Sequence, residues 1–336
     1  MGFDKSLLSE DATLEALARR FPNSHSRLDL CRGDDCAIFK GDRKFCVSAD
    51  LFLEDVHFRR SYFSAAEIGH KALAVNISDL AACGARPTAF FLSLGFDESV
   101  GEGWLDGFFG GMAALAGKYG LVLAGGDLSR SARLVVSITV IGEALDGAGF
   151  LKRGGSMPGD AIFAVGELGL ARVGLLALER EGEAARTKWP ACCEAHLRPT
   201  PKVEAGLMLA RAGGNARPPA LMDVSDGVCR DLPRLLGLSG ELASHSGNLG
   251  AKLEYAESWL HPEVVAYWRE ENENPVLQTL IGGEDYALLG SCAPDMAQTL
   301  RKAIPGFRLI GKVTGDGELR CDDVNLAGLR GFDHFA

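Results

Sequence analysis

Aspartates recur in this chain where apolar stretches begin or end, and they constrain the fold more than any other feature of the sequence. Five stretches have this character, namely GDDCAIF, VSADLFLEDVHF, AVNISDLAACGA, LVLAGGDLSR and ALMDVSDGV. In four of them an apolar run leads directly into a carboxylate, and in GDDCAIF the carboxylates come first. One such aspartate alone is usually a polar loop residue at the end of a strand. The whole set predicts a shared site that the fold assembles from distant segments.

Asp79 is the most informative of these aspartates. It lies late in an apolar, alanine-rich segment with helical spacing, on the side shared with Val75 and Asn76. A buried carboxylate without a partner is costly. Asp79 therefore needs a cation, which is either a Lys or Arg from elsewhere in the chain or a metal ion. The alternative for the whole set is a series of unrelated polar turns.

The residue types around the aspartates favour a hard metal ion. Carboxylate and hydroxyl oxygens without neighbouring Cys or His are typical of Mg²⁺, which shares its coordination sphere with waters and substrate phosphates. Glycines would let the backbone approach such phosphates at Gly33, Gly125, Gly126 and Gly227. The sequence has no P-loop, no G-x-G-x-x-G after a first strand and no protein-kinase signature. We therefore expect metal ions to hold the phosphates, because bare carboxylates would repel a polyphosphate.

Strand-like and helix-like patterns alternate along the chain, which indicates mixed α and β structure. In the first half they predict helices near Leu14, Leu17 and Ala18 and at 65–82 and 103–119, and strands at 36–39, 45–49, 89–96, 121–124 and 134–141. The second half predicts strands at 161–165, in PALMDVSDG and around EDYALLGS and FRLIGKV, and helices at 170–181, 203–212 and 229–236. The Gly- and Pro-rich stretch DGAGFLKRGGSMPGD is the best candidate for a junction. We therefore expect two domains, 1–148 and 149–336.

Composition and charge exclude several classes of protein. The formal net charge of −10 argues against a nucleic-acid partner, since such proteins usually carry a basic stripe. No apolar run approaches the ~20 residues of a membrane-spanning helix, and the N-terminus lacks the basic and then apolar order of a signal peptide. The nine cysteines are an odd number without C-x-x-C spacing, which argues against a zinc site. Reduced thiols in a cytoplasmic protein are the expectation.

Nine motifs occur in the order typical of one family: GDDCAIF, VSADLFLEDVHF, GHKALAVNISDLAACGA, GGDLSR, KRGGSMPGD, LRPTPK, DVSDGVCRDL, GGEDYALL and GFDHF. With these motifs the chain resembles the thiamine-monophosphate kinase family, a branch of the superfamily that includes aminoimidazole ribonucleotide synthetase and selenophosphate synthetase. The resemblance covers nearly the whole length. The segments GGEDY, VHF and GFDHF separate this family from its relatives, which share mainly the aspartates.

The resemblance implies an α+β fold of the α/β sandwich type, with two domains arranged as in aminoimidazole ribonucleotide synthetase. The N-terminal domain would hold a mixed sheet with helices on one side, and this sheet would pair with that of a second subunit in a homodimer. The C-terminal domain would also be α+β. ATP and several Mg²⁺ ions would lie between the domains, and a requirement for a monovalent cation is left open. The implied reaction converts ATP and thiamine monophosphate into ADP and thiamine diphosphate.

The resemblance also assigns roles to single residues. Metal ligands would be Asp35, Ser48, the backbone of Ala49, Asp50, Asp79, Asp127, Asp223 and Asp226, and the catalytic members of this set would be Asp35, Asp79, Asp127 and Asp226. ATP would contact Gly126, Asp127, Arg153 and Ser225. The acceptor would contact His57, Glu284 and Phe332.

Apart from the resemblance, several of these residues have ordinary structural explanations. Arg153 could be a solvated loop residue, and His57 could be a structural histidine. Phe332 could anchor the C-terminus by its ring, and Glu284 could be a solvated loop acid. Ala49 departs from the family, which usually has Thr there, so that one hydroxyl ligand is missing although the backbone carbonyl and water remain available.

The chemistry that the resemblance implies needs no general base. The nucleophile would be a phosphate oxygen, which is largely ionised near neutral pH because its second pKa is about 6. We expect direct in-line transfer without a phosphoenzyme, with Mg²⁺ screening two phosphates that repel each other. The alternatives are another ATP-dependent reaction of the superfamily and a catalytically silent nucleotide-binding homologue.

Overall fold

The computed structural model describes residues 28–30, 34, 36–39, 41, 44–213, 217–238, 248–322, 324–329 and 331–332. The helix expected near Leu14 and the metal ligand expected at Asp35 lie outside these residues. Two mixed sheets and ten helices make up the described part, and this confirms the expected α+β fold. No helix within the described ranges combines the length and apolarity that a membrane crossing requires.

The first sheet has six strands in the order β1-β2-β3-β6-β4-β5. Their bounds are Leu28–Leu30, Ala37–Phe39 and Phe45–Leu53 for β1 to β3, and Arg86–Phe96, Val122–Arg130 and Val135–Glu143 for β4 to β6. The pair β4 and β5 is parallel and every other neighbouring pair is antiparallel, so the sheet is mixed as expected.

Two long helices cover one face of this sheet. Helix α1, Ala65–Ala82, begins with a capping box in which Ser64 and Glu67 satisfy each other's backbone amides. Helix α2, Glu102–Tyr119, packs closely against it, since a Cβ on Gly69 would lie 2.0 Å from the carbonyl oxygen of Phe108. Among the residues that the structure describes, nothing covers the opposite face, from which Leu51 on β3 projects with 56% of its surface exposed.

The second sheet has seven strands in the order β13-β12-β9-β11-β7-β10-β8. Their bounds are Ala161–Val165, Ala220–Asp223 and Gly250–Leu253 for β7 to β9, Leu288–Cys292 and Phe307–Thr314 for β10 and β11, and Leu319–Cys321 and Val324–Asn325 for β12 and β13. Only the pair β9 and β12 is parallel among the described strand pairs of this sheet.

Eight helices accompany the second sheet. Helices α3 to α6 are Leu170–Glu181, Glu183–Lys188, Pro190–Leu197 and Val203–Ala212, and helices α7 to α10 are Val228–Leu235, Pro262–Glu270, Pro275–Ile281 and Pro294–Ala303. The sequence predicted α3 and α6 with these bounds and α7 one residue late. It did not predict α8 to α10, although each has Pro in its first turn, which is a recognised start signal.

Helix α1 joins the two sheets. It packs on β3 and β6 of the first sheet and on α6 and β8 of the second. Its contact with α6 is close, because a Cβ on Gly206 would lie 2.1 Å from the carbonyl oxygen of Ala81. The buried apolar side chains of both halves form one continuous core. The carboxyl end of α1 therefore lies at the seam between the two sheets.

Two strands that carry predicted site residues are longer than the sequence predicted. We expected β3 to end at residue 49, but it pairs with β6 along its whole length to Leu53, and Asp50 lies opposite Ile138 within that ladder. We expected β5 to end at residue 124, but it runs to Arg130 beside β4. Asp50 and Asp127 are therefore residues within strands, and the face of the sheet from which each projects decides what it can reach.

Candidate active site

Two hydroxyl–carboxylate pairs connect the carboxyl end of α1 to both sheets. Ser48 on β3 donates a hydrogen bond of 2.5 Å from Oγ to Oδ2 of Asp79. Ser78, the neighbour of Asp79, donates one of 2.6 Å from Oγ to Oδ2 of Asp223 at the end of β8. Three of the predicted metal ligands, Ser48, Asp79 and Asp223, are therefore brought together at the seam.

Strand alternation divides the predicted ligands of β3 between two faces. Cys46 and Phe52 are buried beneath the helices, so Ser48 and Asp50, which share their alternation, lie on the helix-covered face. Ala49 has the opposite alternation and is exposed on the uncovered face. A hydroxyl at position 49 would therefore point away from Asp79. The absence of a Thr hydroxyl at position 49 therefore removes no side-chain oxygen from the helix-covered face.

Tyr286 marks the place where carboxylates from several segments gather. Burial raises the pKa of its phenol, and the negative charges of Glu284, Asp223, Asp50 and Asp226 raise it further. Four carboxylates from three separate segments of the chain thus act on one buried ring. These segments are β3, the end of β8 with the loop after it, and the loop that follows α9.

Asp226 lies in a compact ion-pair network with α7. Arg234 donates from Nη1 to Oδ2 of Asp226 at 2.6 Å, and Asp231 accepts the backbone N–H of Asp226 through Oδ2 at 3.0 Å. Burial raises the pKa of Asp231 to about 7, assisted by the charge of Asp226 and opposed by that of Arg234. The sequence analysis did not single out Asp231 or Arg234, although DVSDGVCRDL contains the first of them.

The loop that carries Arg153 reaches the same region. The backbone N–H of Arg153 donates to Oδ2 of Asp34 at 2.9 Å, and the charge of Arg153 acts on Asp231. Ser225 contributes its backbone carbonyl, which accepts the N–H of Glu284 at 2.7 Å. The structure therefore brings Arg153 and Ser225, two of the predicted nucleotide contacts, close to Asp226.

Phe332, near the end of the chain, also lies beside Asp226. Its backbone N–H donates to the carbonyl oxygen of Asp226 at 3.1 Å, and its own carbonyl accepts a hydrogen bond from Arg230. The side chain of Phe332 is half-exposed. The backbone therefore anchors this segment at Asp226 and Arg230.

His57 is held by the backbone of the turn in which it lies. Its Nδ1 accepts the N–H of Leu53 at 3.0 Å, and the ring stacks on Phe52 with centroids 5.7 Å apart. Because Nδ1 is the acceptor, the proton of the neutral ring is on Nε2. The structural explanation for His57 therefore holds for Nδ1 and for the ring face stacked on Phe52.

Glu284 is not a solvated loop acid. Its Oε1 lies 3.1 Å from Nζ of Lys71, and its Oε2 lies 3.1 Å from Nδ1 of His196. Burial alone would raise the pKa of Glu284, but Lys71 and His196 outweigh burial and hold that pKa below its usual range. The neighbouring Asp285 accepts the N–H groups of Gly169 and Ala171 and so caps α3. The sequence offered one signal for Lys71, since it is the only cation in its apolar helix.

Asp127 and Gly126 are not part of this group within one chain. Asp127 pairs in register with Ser93 of β4, which is on the uncovered face, and β5 is exposed throughout. Gly126 is required by the strand itself, because a Cβ there would lie 1.7 Å from the carbonyl oxygen of Leu92. Proximity to a phosphate is therefore not needed to explain this glycine.

The donor chemistry of the seam suits a hard cation, although no protein cage is preformed. In the described part of the chain, no three His, Cys, Asp or Glu side chains converge to hold one metal ion. Mg²⁺ commonly binds through one or two carboxylates together with phosphate oxygens and water, so the carboxylates of Asp79 and Asp223, each held by a serine hydroxyl, are compatible with it. The eight cysteines in the described ranges are buried and unbridged.

The chain is similar to known proteins along most of its length. The family profile described as AIR synthase related protein, N-terminal domain, matches residues 33–144. Thiamine-monophosphate kinase from Bacillus subtilis (strain 168) is 34% identical over 295 residues, which cover 85% of this chain and 84% of that protein. Thiamine-monophosphate kinase from Escherichia coli (strain K12) is 34% identical over 338 residues, which cover 95% and 97% respectively.

The fold is also similar to a solved structure over its full extent. The structure described as "AaThiL complexed with AMPPCP and TMP" matches with a TM-score of 0.84 and 26% sequence identity, and the match covers 99% of each chain. The overall fold of this chain therefore corresponds to that of a protein solved in complex with AMPPCP and TMP.

Proposed function

The chain belongs to the thiamine-monophosphate kinase family, and we propose that it transfers the γ-phosphoryl group of ATP to thiamine monophosphate, which gives ADP and thiamine diphosphate. The observation that carries this proposal is the match over 99% of both chains to a structure complexed with AMPPCP and TMP. AMPPCP has the shape and charge of ATP, and a site for two phosphate compounds is what phosphoryl transfer between them requires.

We propose that the seam holds the phosphates through Mg²⁺. Asp79, Asp223, Asp50 and Ser48 would be the protein ligands on the helix-covered side, together with Asp226 and with Asp35, which lies outside the described residues. The bound ions would neutralise charge on the β- and γ-phosphates and on the acceptor phosphate. The hydrogen bonds from Ser48 and Ser78 support this role, because they fix the orientation of Asp79 and Asp223 before a ligand arrives.

We propose that Arg153 and Ser225 contact the nucleotide. A planar guanidinium is suited to bidentate contact with phosphate, and Arg153 belongs to a loop already anchored to Asp34. The backbone carbonyl of Ala49 remains a proposed metal ligand. Its exposed side chain neither supports nor opposes that role.

The acceptor side would be formed by His57, Glu284 and Phe332. The half-exposed ring of Phe332 offers an aromatic face to a heterocycle. His57 offers an Nε2–H, and Glu284 offers a carboxylate whose side chain is 25% exposed. A carboxylate and an aromatic face together suit a cationic heterocycle such as the thiazolium ring of thiamine.

Catalysis would depend on alignment. The attacking phosphate oxygen is already ionised near neutral pH, so no side chain has to remove a proton from it. The contribution of Asp79, Asp223 and Arg153 is to hold the two phosphates in line against their repulsion. We propose direct transfer without a phosphoenzyme.

We further propose a homodimer in the cytoplasm, with domains divided near residue 148. The uncovered face of the first sheet supports pairing, because Leu51, Phe91 and Val122 are exposed on it in the described residues of a single chain. Asp127 and Gly126 lie on the edge strand of that sheet, so they would reach a nucleotide only in an assembly that covers this face. Buried, unbridged thiols in the described ranges are consistent with a reducing compartment.

One assay tests the proposed function. Purified protein is incubated with Mg-ATP and one candidate acceptor at a time. The acceptors are thiamine monophosphate, thiamine, selenide and formylglycinamidine ribonucleotide, and both ADP and product are measured. Thiamine diphosphate should form only with thiamine monophosphate, and removal of divalent ions by a chelator should abolish it. Exchange of K⁺ for Na⁺ tests the monovalent requirement. The proposal would be overturned if another substrate turned over and thiamine monophosphate did not. It would also be overturned if none of the four compounds turned over.

A further inference from the structure

The segment Glu284–Asp285–Tyr286 has an unusual backbone. Glu284 has φ of 65° and Tyr286 has φ of 47°, and neither residue is glycine. Positive φ at such residues costs energy and persists only where the surroundings impose it. Here the N–H of Glu284 donates to Ser225, that of Tyr286 donates to Val224, and the Asp285 carboxylate caps α3. The segment is therefore held from several sides in one strained conformation.

Lys71 holds the Glu284 side chain from the first sheet's helix. Its Nζ is completely buried, lies 3.1 Å from Oε1 of Glu284 and stands 5.5 Å from the centroid of the Phe63 ring. A buried ammonium needs a counter-charge, and Glu284 is the carboxylate that supplies it. The ion pair thus joins α1 to the loop after α9.

His196 of α5 contacts both members of this pair. Its Nδ1 lies 3.3 Å from Nζ of Lys71 and 3.1 Å from Oε2 of Glu284, and the ring is fully buried. A single nitrogen cannot donate to Glu284 and accept from Lys71 at once, so the ring proton selects between these bonds. Nε2 of His196 has no hydrogen-bond partner among the residues that the structure describes. A buried polar atom without a hydrogen bond lowers stability. Such an atom is retained where the polar network has a functional role.

We propose that Lys71 and His196 are positioning residues that present the ionised carboxylate of Glu284 to the cationic part of the acceptor, and so control acceptor recognition separately from ATP binding. This inference rests on the proposed function for the identity of the acceptor. Lys71 and His196 each contact one carboxylate oxygen of Glu284 from the buried side. The side chain of Glu284 keeps 25% of its surface exposed for a ligand.

The spacing along α1 supports separate roles for Lys71 and Asp79 at the two ends of the proposed site. Residues 71 and 79 are eight positions apart, which corresponds to roughly 12 Å along a helix axis. Asp79 lies at the proposed phosphate end of the site, and Lys71 holds the carboxylate at the other end. A molecule with a phosphate at one end and an organic cation at the other fits this arrangement of charge.

The kinetic test compares Lys71→Met, Glu284→Gln and the double variant, with Lys188→Met as control, because Lys188 forms an exposed ion pair with Glu270. Lys71→Met should raise the KM for thiamine monophosphate by about 10- to 100-fold and change the KM for ATP by less than about threefold. The double variant should resemble Glu284→Gln alone, since both single changes act on one interaction. Equal effects on both substrates would overturn the proposal, and so would additive effects.

Hydrogen exchange gives a readout that does not depend on the acceptor. Lys71→Met should accelerate exchange of the Glu284 and Tyr286 amides by about tenfold or more relative to the wild type, and Lys188→Met should not. Unchanged exchange in Lys71→Met would overturn the positioning role whatever the substrate. Accelerated exchange in a protein that does not phosphorylate thiamine monophosphate would refute the proposed function and leave the positioning role in place.

Discussion

The hydroxyl of Ser78 donates a 2.6 Å hydrogen bond to the carboxylate of Asp223, across 145 positions of sequence. Ser78 belongs to α1, which packs on the first sheet, and Asp223 is the last residue of β8 in the second sheet. Both residues are buried. This bond therefore ties the two sheets together beside the proposed phosphate site, next to the bond between Ser48 and Asp79.

Replacement of Ser78 by Ala should destabilise the protein. The buried carboxylate of Asp223 would lose one of its partners, and an incompletely satisfied buried group costs about 1–3 kcal/mol. Urea unfolding followed by circular dichroism would measure the loss, with the exposed Ser61→Ala as control. A free energy of unfolding equal to that of the wild type would show that the Ser78–Asp223 bond does not stabilise the seam.

Asp79→Asn should reduce turnover by on the order of 10²- to 10³-fold, comparable to the loss of one preorganised electrostatic group. The amide keeps the shape of the side chain and its contact with Ser48 but removes the charge that would face Mg²⁺. Steady-state formation of thiamine diphosphate is the measurement. Asp106→Asn, at an exposed position of α2, is the matched control. Near-normal activity of Asp79→Asn would remove Asp79 from the metal site.

The buried His196 should make stability depend on pH. Burial lowers its pKa from 6.5 to about 4, and the charges of Lys71 and Arg59 act in the same direction while Glu284 opposes them. Between these two values the unfolded chain binds a proton that the folded chain does not. This contribution to stability is therefore complete above about pH 6.5 and is lost as the pH falls towards 4, with a slope of at most about 1.4 kcal/mol per pH unit.

Replacement of His196 should weaken the pH dependence of the free energy of unfolding below about pH 6.5. Asn at position 196 places an amide near the former Nδ1 and cannot titrate. Urea unfolding at intervals from pH 4.5 to 7.5 would compare His196→Asn with the wild type. Parallel curves for the two proteins would show that His196 does not couple proton binding to folding.

Leu51→Asp should prevent dimer formation. Leu51 is 56% exposed on the uncovered face of the first sheet, and a charge in a paired apolar face costs several kcal/mol. Sedimentation velocity at micromolar concentration would show a dimer for the wild type and a monomer for the variant. Val324→Asp, on an exposed strand of the other sheet, should remain dimeric. A monomeric wild type would contradict the proposed assembly.

Several parts of this protein could be predicted from its sequence. The periodicity of apolar residues predicted α1, α3, α6 and β7 with the bounds that the structure has, because such patterns reflect local backbone geometry. The order of the aspartate motifs predicted the family. Asp79 was expected to need a partner, because its apolar helix contains no neighbour that could neutralise it.

Only the tertiary structure decided which partner each charged residue meets. Glu284 meets Lys71 and His196, and Asp226 meets Arg234, and no pattern in the sequence predicted these pairings. Ala49 lies on the uncovered face, away from Asp79, because β3 continues past Asp50 and alternation assigns each side chain to a face. The physical reason is that propensity and periodicity act over a few residues, while electrostatic pairing depends on groups that only the packed fold brings within 3–4 Å.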